Sequence, residues 1–133
     1  MQRYFQIVVT LLNSISKDTE MEKDKRCEID KRALDDALQS IGGKWKLQIL
    51  SSIFNGNTRF SEIEHDLQGI TKRTLSRELK ELEANQFVKK IVFPEMPTKA
   101  EYKPTAYAMK LSSIIDELVN WGQNHRKKII GHY

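Results

Sequence analysis

Between Ile70 and Phe93 the hydrophobic period of the chain changes, and this change limits the folds open to it. In "ITKRTLSRELKELEANQFV" (70–88) Leu75, Leu79 and Leu82 recur at helical spacing, so a helix is expected over 71–84. Thr71 is placed to cap its start, and "ANQ" ends it. From Phe87 the spacing falls to about two, the period of a strand. "FVKKIVF" (87–93) and "KAEYKPT" (99–105) read as two strands, with "PEMPT" (94–98) as a loop that cannot continue a strand because proline lacks an N–H. The reading is therefore helix followed by hairpin.

Upstream, three more helices are expected. Leu34, Ala37, Leu38 and Ile41 keep the i, i+3, i+4, i+7 pattern, with Asp30 as a cap at the start and Gly42-Gly43 as the stop. A second helix runs from Lys44 to about Phe54, with Trp45, Ile49, Leu50 and Ile53 inward and "NGN" (55–57) as its turn. A third starts at Ser61, where "SEIE" has the form of a capping box, and carries Phe60, Ile63 and Leu67. "QGI" (68–70) joins it to helix 71–84. Past the hairpin, Leu111, Ile114, Ile115, Leu118 and Trp121 form one stripe of a final helix, and "HRKK" (125–128) places cations at its C-terminus.

The expected fold class is mainly α with a small β-hairpin. A brace helix, a short Gly turn, a second helix and a hairpin follow in the order of a winged helix-turn-helix. In that unit the second helix enters the DNA major groove and the hairpin, or wing, reaches the neighbouring backbone.

The polar face of helix 71–84 fits that use. With Leu75 set at zero and about 100° per residue, the leucines cluster within about 40° of zero, while Arg73, Arg77 and Lys80 fall at about 140–200°. A basic face alone is most often only a solvated face. Together with the brace helix and hairpin it becomes a candidate DNA surface, in which Arg can fork to a guanine edge and Lys or Thr can hold phosphate. Glu78, Glu81 and Glu83 confine the expected contact to the first two turns. The candidate DNA contacts are Arg59, Ser61, Thr71, Lys72, Arg73, Thr74, Ser76, Arg77, Lys80 and, in the wing, Lys99.

Charge supports this weakly. Of 22 Lys/Arg and 18 Asp/Glu, residues 1–40 hold seven and eight, so the excess of five basic groups (fifteen against ten) lies in residues 41–133. A single cysteine, Cys27, allows no intrachain disulfide, and a reducing cytoplasm is the expected compartment. No stretch approaches the roughly 20 apolar residues of a membrane span. The start, "MQRYFQIVVTLLNSIS", lacks the cleavage site of a signal peptide.

Residues 1–25 read as an N-terminal extension, either a loose tail or a helix that packs on a partner subunit. The winged unit with its C-terminal helix spans 26–128, and 129–133 form a tail. No nucleophile–base pair, carboxylate pair, phosphate loop or metal-ligand cluster occurs, so no catalytic residue, metal or cofactor is expected.

"IGGKWKLQIL" (41–50), "RFSEIEHDLQGITKRTLSRELKELEANQFV" (59–88), "FPEMPTKAEYKPT" (93–105) and "ELVNWG" (117–122) resemble the HxlR-type winged-helix transcription regulators of bacteria, in the MarR-like superfamily. The Gly-Gly-Lys-Trp element and the Pro-Glu-x-Pro wing carry most of the likeness, which covers about residues 30–125. It implies a cytoplasmic homodimer on two-fold symmetric operator DNA, with helix 71–84 as recognition helix, 94–99 as wing tip and an effector left open. It also implies dimer contacts from the first and last helices, here Leu34, Leu38, Leu111, Ile114, Ile115, Leu118 and Trp121. Some members sense oxidants through a cysteine just before the first helix. That position falls near Lys31 or Arg32, and Cys27 lies about one helical turn too early, so Cys27 reads as an inert thiol sooner than as a redox sensor. The competing reading is a winged-helix interaction module without specific DNA readout.

Overall fold

The computed structural model describes residues 2–132. The chain divides into two units, residues 1–39 and 40–133. The first is nearly all helix: α1 (Gln2–Ile41) runs 40 residues with none buried. No glycine or proline interrupts it, and Glu22 to Arg26 and Glu28 to Arg32 have the i, i+4 order that favours helix. The Thr10 and Thr19 hydroxyls donate back to the Gln6 and Ile15 carbonyls, each at 2.8 Å. Asp30 is thus no cap: it lies inside α1, because nothing before it breaks the helix. The helix stops at Gly42-Gly43, where Gly43 takes φ +89°.

The second unit contains α2 (Lys46–Phe54), α3 (Phe60–Asp66), α4 (Lys72–Ala84), β1 (Val88–Phe93), β2 (Met96–Pro104), α5 (Ala106–Met109) and α6 (Ser112–Ile130). Its core joins Ile49, Leu50 and Ile53 of α2, Ile63 of α3, and Leu75, Leu79 and Leu82 of α4 to Phe87, Val88, Tyr102 and Ala108. Each α4 leucine is at most 1% exposed, and burial of such a side chain contributes about 1.5–3 kcal/mol. Trp45, Leu111 and Ile115 pack against the edge of this core.

Three local details differ from the sequence reading. The start of α3 is pinned two residues earlier than Ser61–Glu64 suggests, with Arg59 as N-cap and Glu62 as the capping acid. The Glu62 carboxylate accepts from the Thr58 and Arg59 N–H groups, each at 3.1 Å. Arg59 and Thr58 are held there by β2: Arg59 forms a bridge with Glu101, and Tyr102 N–H donates to the Thr58 carbonyl at 2.7 Å. A backbone pairing thus decides which glutamate caps the helix.

The wing is an antiparallel pair running from Val88↔Pro104 to Val92↔Ala100, closed by Phe93↔Met96 around Pro94-Glu95. The returning strand therefore begins at Met96 and includes Pro97. The register shifts between Val92 and Phe93, so Pro97, Thr98 and Lys99 sit opposite no partner and the missing proline N–H costs no ladder bond.

The final helix is in two pieces. Lys110 and Leu111 bond back three residues, to Tyr107 (3.3 Å) and Ala108 (2.9 Å), which separates α5 from α6. Thr105 links α5 to the wing base, accepting from Ala108 N–H at 3.0 Å and donating to the Gln86 carbonyl at 2.7 Å. Among the described residues no helix is long and apolar enough to cross a membrane.

Candidate nucleic-acid interface

Helix α4 is fixed at both ends. At the N-terminus Thr71 Oγ1 accepts from the Thr74 N–H at 3.1 Å and donates to Thr74 Oγ1 at 2.9 Å. At the C-terminus Gln86 N–H donates to Glu83 and Phe87 N–H to Leu82. That pair of bonds is the Schellman arrangement, with a left-handed residue before the last donor. Gln86 is that residue, at φ +64°.

With Leu75, Leu79 and Leu82 inward, Lys72, Arg73, Arg77 and Lys80 are exposed, and Thr74 and Ser76 are half-buried between them. Burial and the angular reading agree. Arg59 and Ser61, at the start of α3, line a groove of about 430 Å³ together with Lys99, Thr98 and Pro97 of the wing. Ser61 also lines a second depression of about 550 Å³ that reaches Lys72. The residues named from the sequence therefore form two adjoining groups, one on α4 and one between α3 and the wing.

Lys90 belongs to the second group and was missed by the sequence reading. It lines the same groove from β1, and its Nζ lies over the Tyr102 ring, 6.0 Å from the centroid. The signal was the alternation in "VKKIVF", which turns Lys89 and Lys90 to opposite faces, but the cross-strand partner was needed to say which faces α3.

The acidic residues of α4 have a role that sequence spacing did not disclose. Lys46 Nζ lies 2.7 Å from Glu78 Oε2 and 2.6 Å from Glu81 Oε2. Glu78 Oε1 is 3.5 Å from Arg77 Nη2. Lys46 is 9% exposed. Burial pulls its pKa down, but the hydrogen bonds and charges of Glu78 and Glu81 outweigh that and leave it raised. Glu81 is held below its ordinary value, first by its hydrogen bond from Lys46 and then by the charge of that group. Two of the three glutamates on α4 are thus paired with a cation from α2.

The residues expected at a dimer seam divide. On α6 Ile114, Leu118 and Trp121 are 46–65% exposed, whereas Ile115 packs on the core, as does Leu111 just before the helix. Trp121 stacks on His125 with centroids 4.8 Å apart. In the first unit Leu34 and Leu38 are exposed on α1, as is Cys27.

Known proteins share this arrangement. Residues 40–129 match the model of the HxlR-like helix-turn-helix family. The HTH-type transcriptional regulator YtcD of Bacillus subtilis is 39% identical over 94 residues, which cover 71% of this chain and 75% of that protein. A crystal structure of ytcD superposes with a TM-score of 0.65 over 69% of this chain and 94% of its own. The redox regulator HypR in its reduced form, 32% identical, superposes with a TM-score of 0.69 over 75% of this chain and 99% of that one. The matched residues contain α3, α4 and the wing, and the match identifies a transcription regulator in place of an enzyme. The chain belongs to the HxlR-like helix-turn-helix family of transcription regulators.

Proposed function

We propose that the protein acts in the cytoplasm as a homodimer that reads a two-fold symmetric operator. The first two turns of α4 read bases in the major groove, and the α3–wing groove holds the adjoining backbone. The observation that carries this is the outward row of Lys72, Arg73, Arg77 and Lys80 on a helix whose opposite face is locked into the core. Arg77 is the base-reading residue, since a guanidinium can fork to guanine O6 and N7. Thr71, Lys72, Arg73, Thr74, Ser76 and Lys80 position the helix on phosphates, and Arg59, Ser61, Lys90 and Lys99 form the second contact. The dimer seam uses Ile114, Leu118 and Trp121 of α6, with Leu34 and Leu38 of α1. A two-fold dimer is the commonest oligomer, and these side chains are large, apolar and exposed.

Selection of bound sequences from a random duplex pool tests the proposal. An inverted repeat is expected, with half-site centres separated by about 10–10.5 bp or a multiple of it. Recovery of no motif, or of an asymmetric single site, would refute the dimeric reading.

A further inference from the structure

Lys46 lies outside the candidate DNA surface, yet it is joined to it. Its Nζ holds one oxygen of Glu78 at 2.7 Å and one of Glu81 at 2.6 Å. These two residues stand one turn apart on α4, so a single cation from α2 grips the recognition helix at two points. The other oxygen of Glu78 is left for Arg77, at 3.5 Å. The bridge is sheltered where it matters, with the Lys46 and Glu78 side chains 11% and 12% exposed. Sheltered pairs are screened little by salt. Around the helix, Glu78 and Glu81 lie between the leucine face and the outer basic row.

Three consequences follow from this placement. The bridge adds a polar restraint on rotation of α4 about its axis to the one its buried leucines already supply. It also offsets part of the negative charge that Glu78 and Glu81 would otherwise bring near a phosphate backbone. Finally, it fixes the Glu78 carboxylate, so that Arg77 meets one defined oxygen in place of a freely turning group. We infer that Lys46 is a positioning residue for operator readout, setting α4 and, through Glu78, the guanidinium of Arg77. This rests on the reading of α4 as the base-reading helix.

The role differs from simple stabilisation in what it predicts. Loss of a positioning residue degrades the fit to the correct sequence more than it degrades attraction to any duplex, because non-specific binding depends on phosphate neutralisation alone. The test compares wild type, Lys46→Met, Lys46→Arg and Glu78→Gln in full-length protein. Affinity is measured for the selected operator and for a scrambled duplex of the same length and salt, alongside amide hydrogen exchange of residues 72–84 without DNA. Lys46→Met should lower the operator-to-scrambled ratio about 5- to 150-fold, the range of a one-base-pair mismatch, with scrambled binding changed far less. Lys46→Arg, which keeps the charge, should recover part of the ratio, and Glu78→Gln should lower it. Exchange in 72–84 should quicken in Lys46→Met and Glu78→Gln relative to the core residues of α2.

An unchanged ratio in folded Lys46→Met, or equal losses on both duplexes, would overturn the proposal. If Lys46→Met does not fold, Glu78→Gln decides: an unaltered ratio in that variant overturns it. A wild type that does not distinguish operator from scrambled DNA would instead defeat the reading of α4. The exchange data would then judge the bridge by itself, and unchanged protection in 72–84 would show that Lys46 does not hold the helix.

Discussion

Phe87 N–H donates to the Leu82 carbonyl at 2.9 Å, and both side chains are buried in one core. This bond turns the chain out of α4 and into the wing in three residues. It requires the left-handed conformation of Gln86 between them, at φ +64°. A non-glycine residue there costs about 1–2 kcal/mol, partly offset by the greater backbone entropy that glycine loses on folding, about 0.5–1 kcal/mol. Gln86→Gly should therefore raise stability by up to about 1 kcal/mol in urea titration without altering DNA binding. A loss of stability would contradict this account of the turn.

Thr71 supplies the cap on which the orientation of the first turn of α4 depends. Thr71→Ala should cost about 1 kcal/mol of unfolding free energy, while Thr71→Ser should restore most of it. Equal stabilities for all three proteins would remove the cap from the explanation.

Leu79 is 1% exposed at the centre of the α4 seam. Leu79→Ala should destabilise the second unit by about 2–5 kcal/mol, including the cavity left behind. A cost below about 1 kcal/mol, smaller than any core truncation of this kind, would mean that the leucine face is not where the structure puts it.

The Lys46–Glu81 contact should be visible in the pH dependence of stability. Glu81 has a lowered folded pKa, so its contribution is present above its ordinary value of 4.5 and is lost as pH falls through the lower folded value. Lys46 has a raised folded pKa, so its contribution is complete below its ordinary value of 10.5 and is lost as pH rises through the higher folded value. The stability difference between wild type and Glu81→Gln should be level between these limits and shrink outside them. Glu81 is open to solvent and its share is small. A difference that grows on acidification would have the wrong sign for the bridge.

Much of this was legible in the sequence, because periodicity reports burial directly. The leucines of α4, its cap at Thr71 and the change to strand spacing all follow from local chemistry. The features that were not legible are long-range. Which glutamate caps α3 depends on a pairing between Arg59 and Glu101, 42 positions apart. The strand through Pro97 depends on a register shift that removes its need for an N–H. The place of Lys90 in the groove, and of Lys46 between two glutamates, depends on which faces the helices and strands turn to one another. Asp30 misled for the opposite reason: a residue suited to a helix start is also tolerated inside a helix whose neighbours hold it.

The most direct measurement is a titration of wild type and Arg77→Ala against the selected operator and its single-base variants, at two salt concentrations. If α4 reads bases through Arg77, the alanine protein should lose about 1–3 kcal/mol on the operator and stop discriminating at one base position in each half-site, with its salt dependence nearly unchanged. Discrimination by Arg77→Ala equal to wild type at every position would contradict the assignment of α4 as the reading helix.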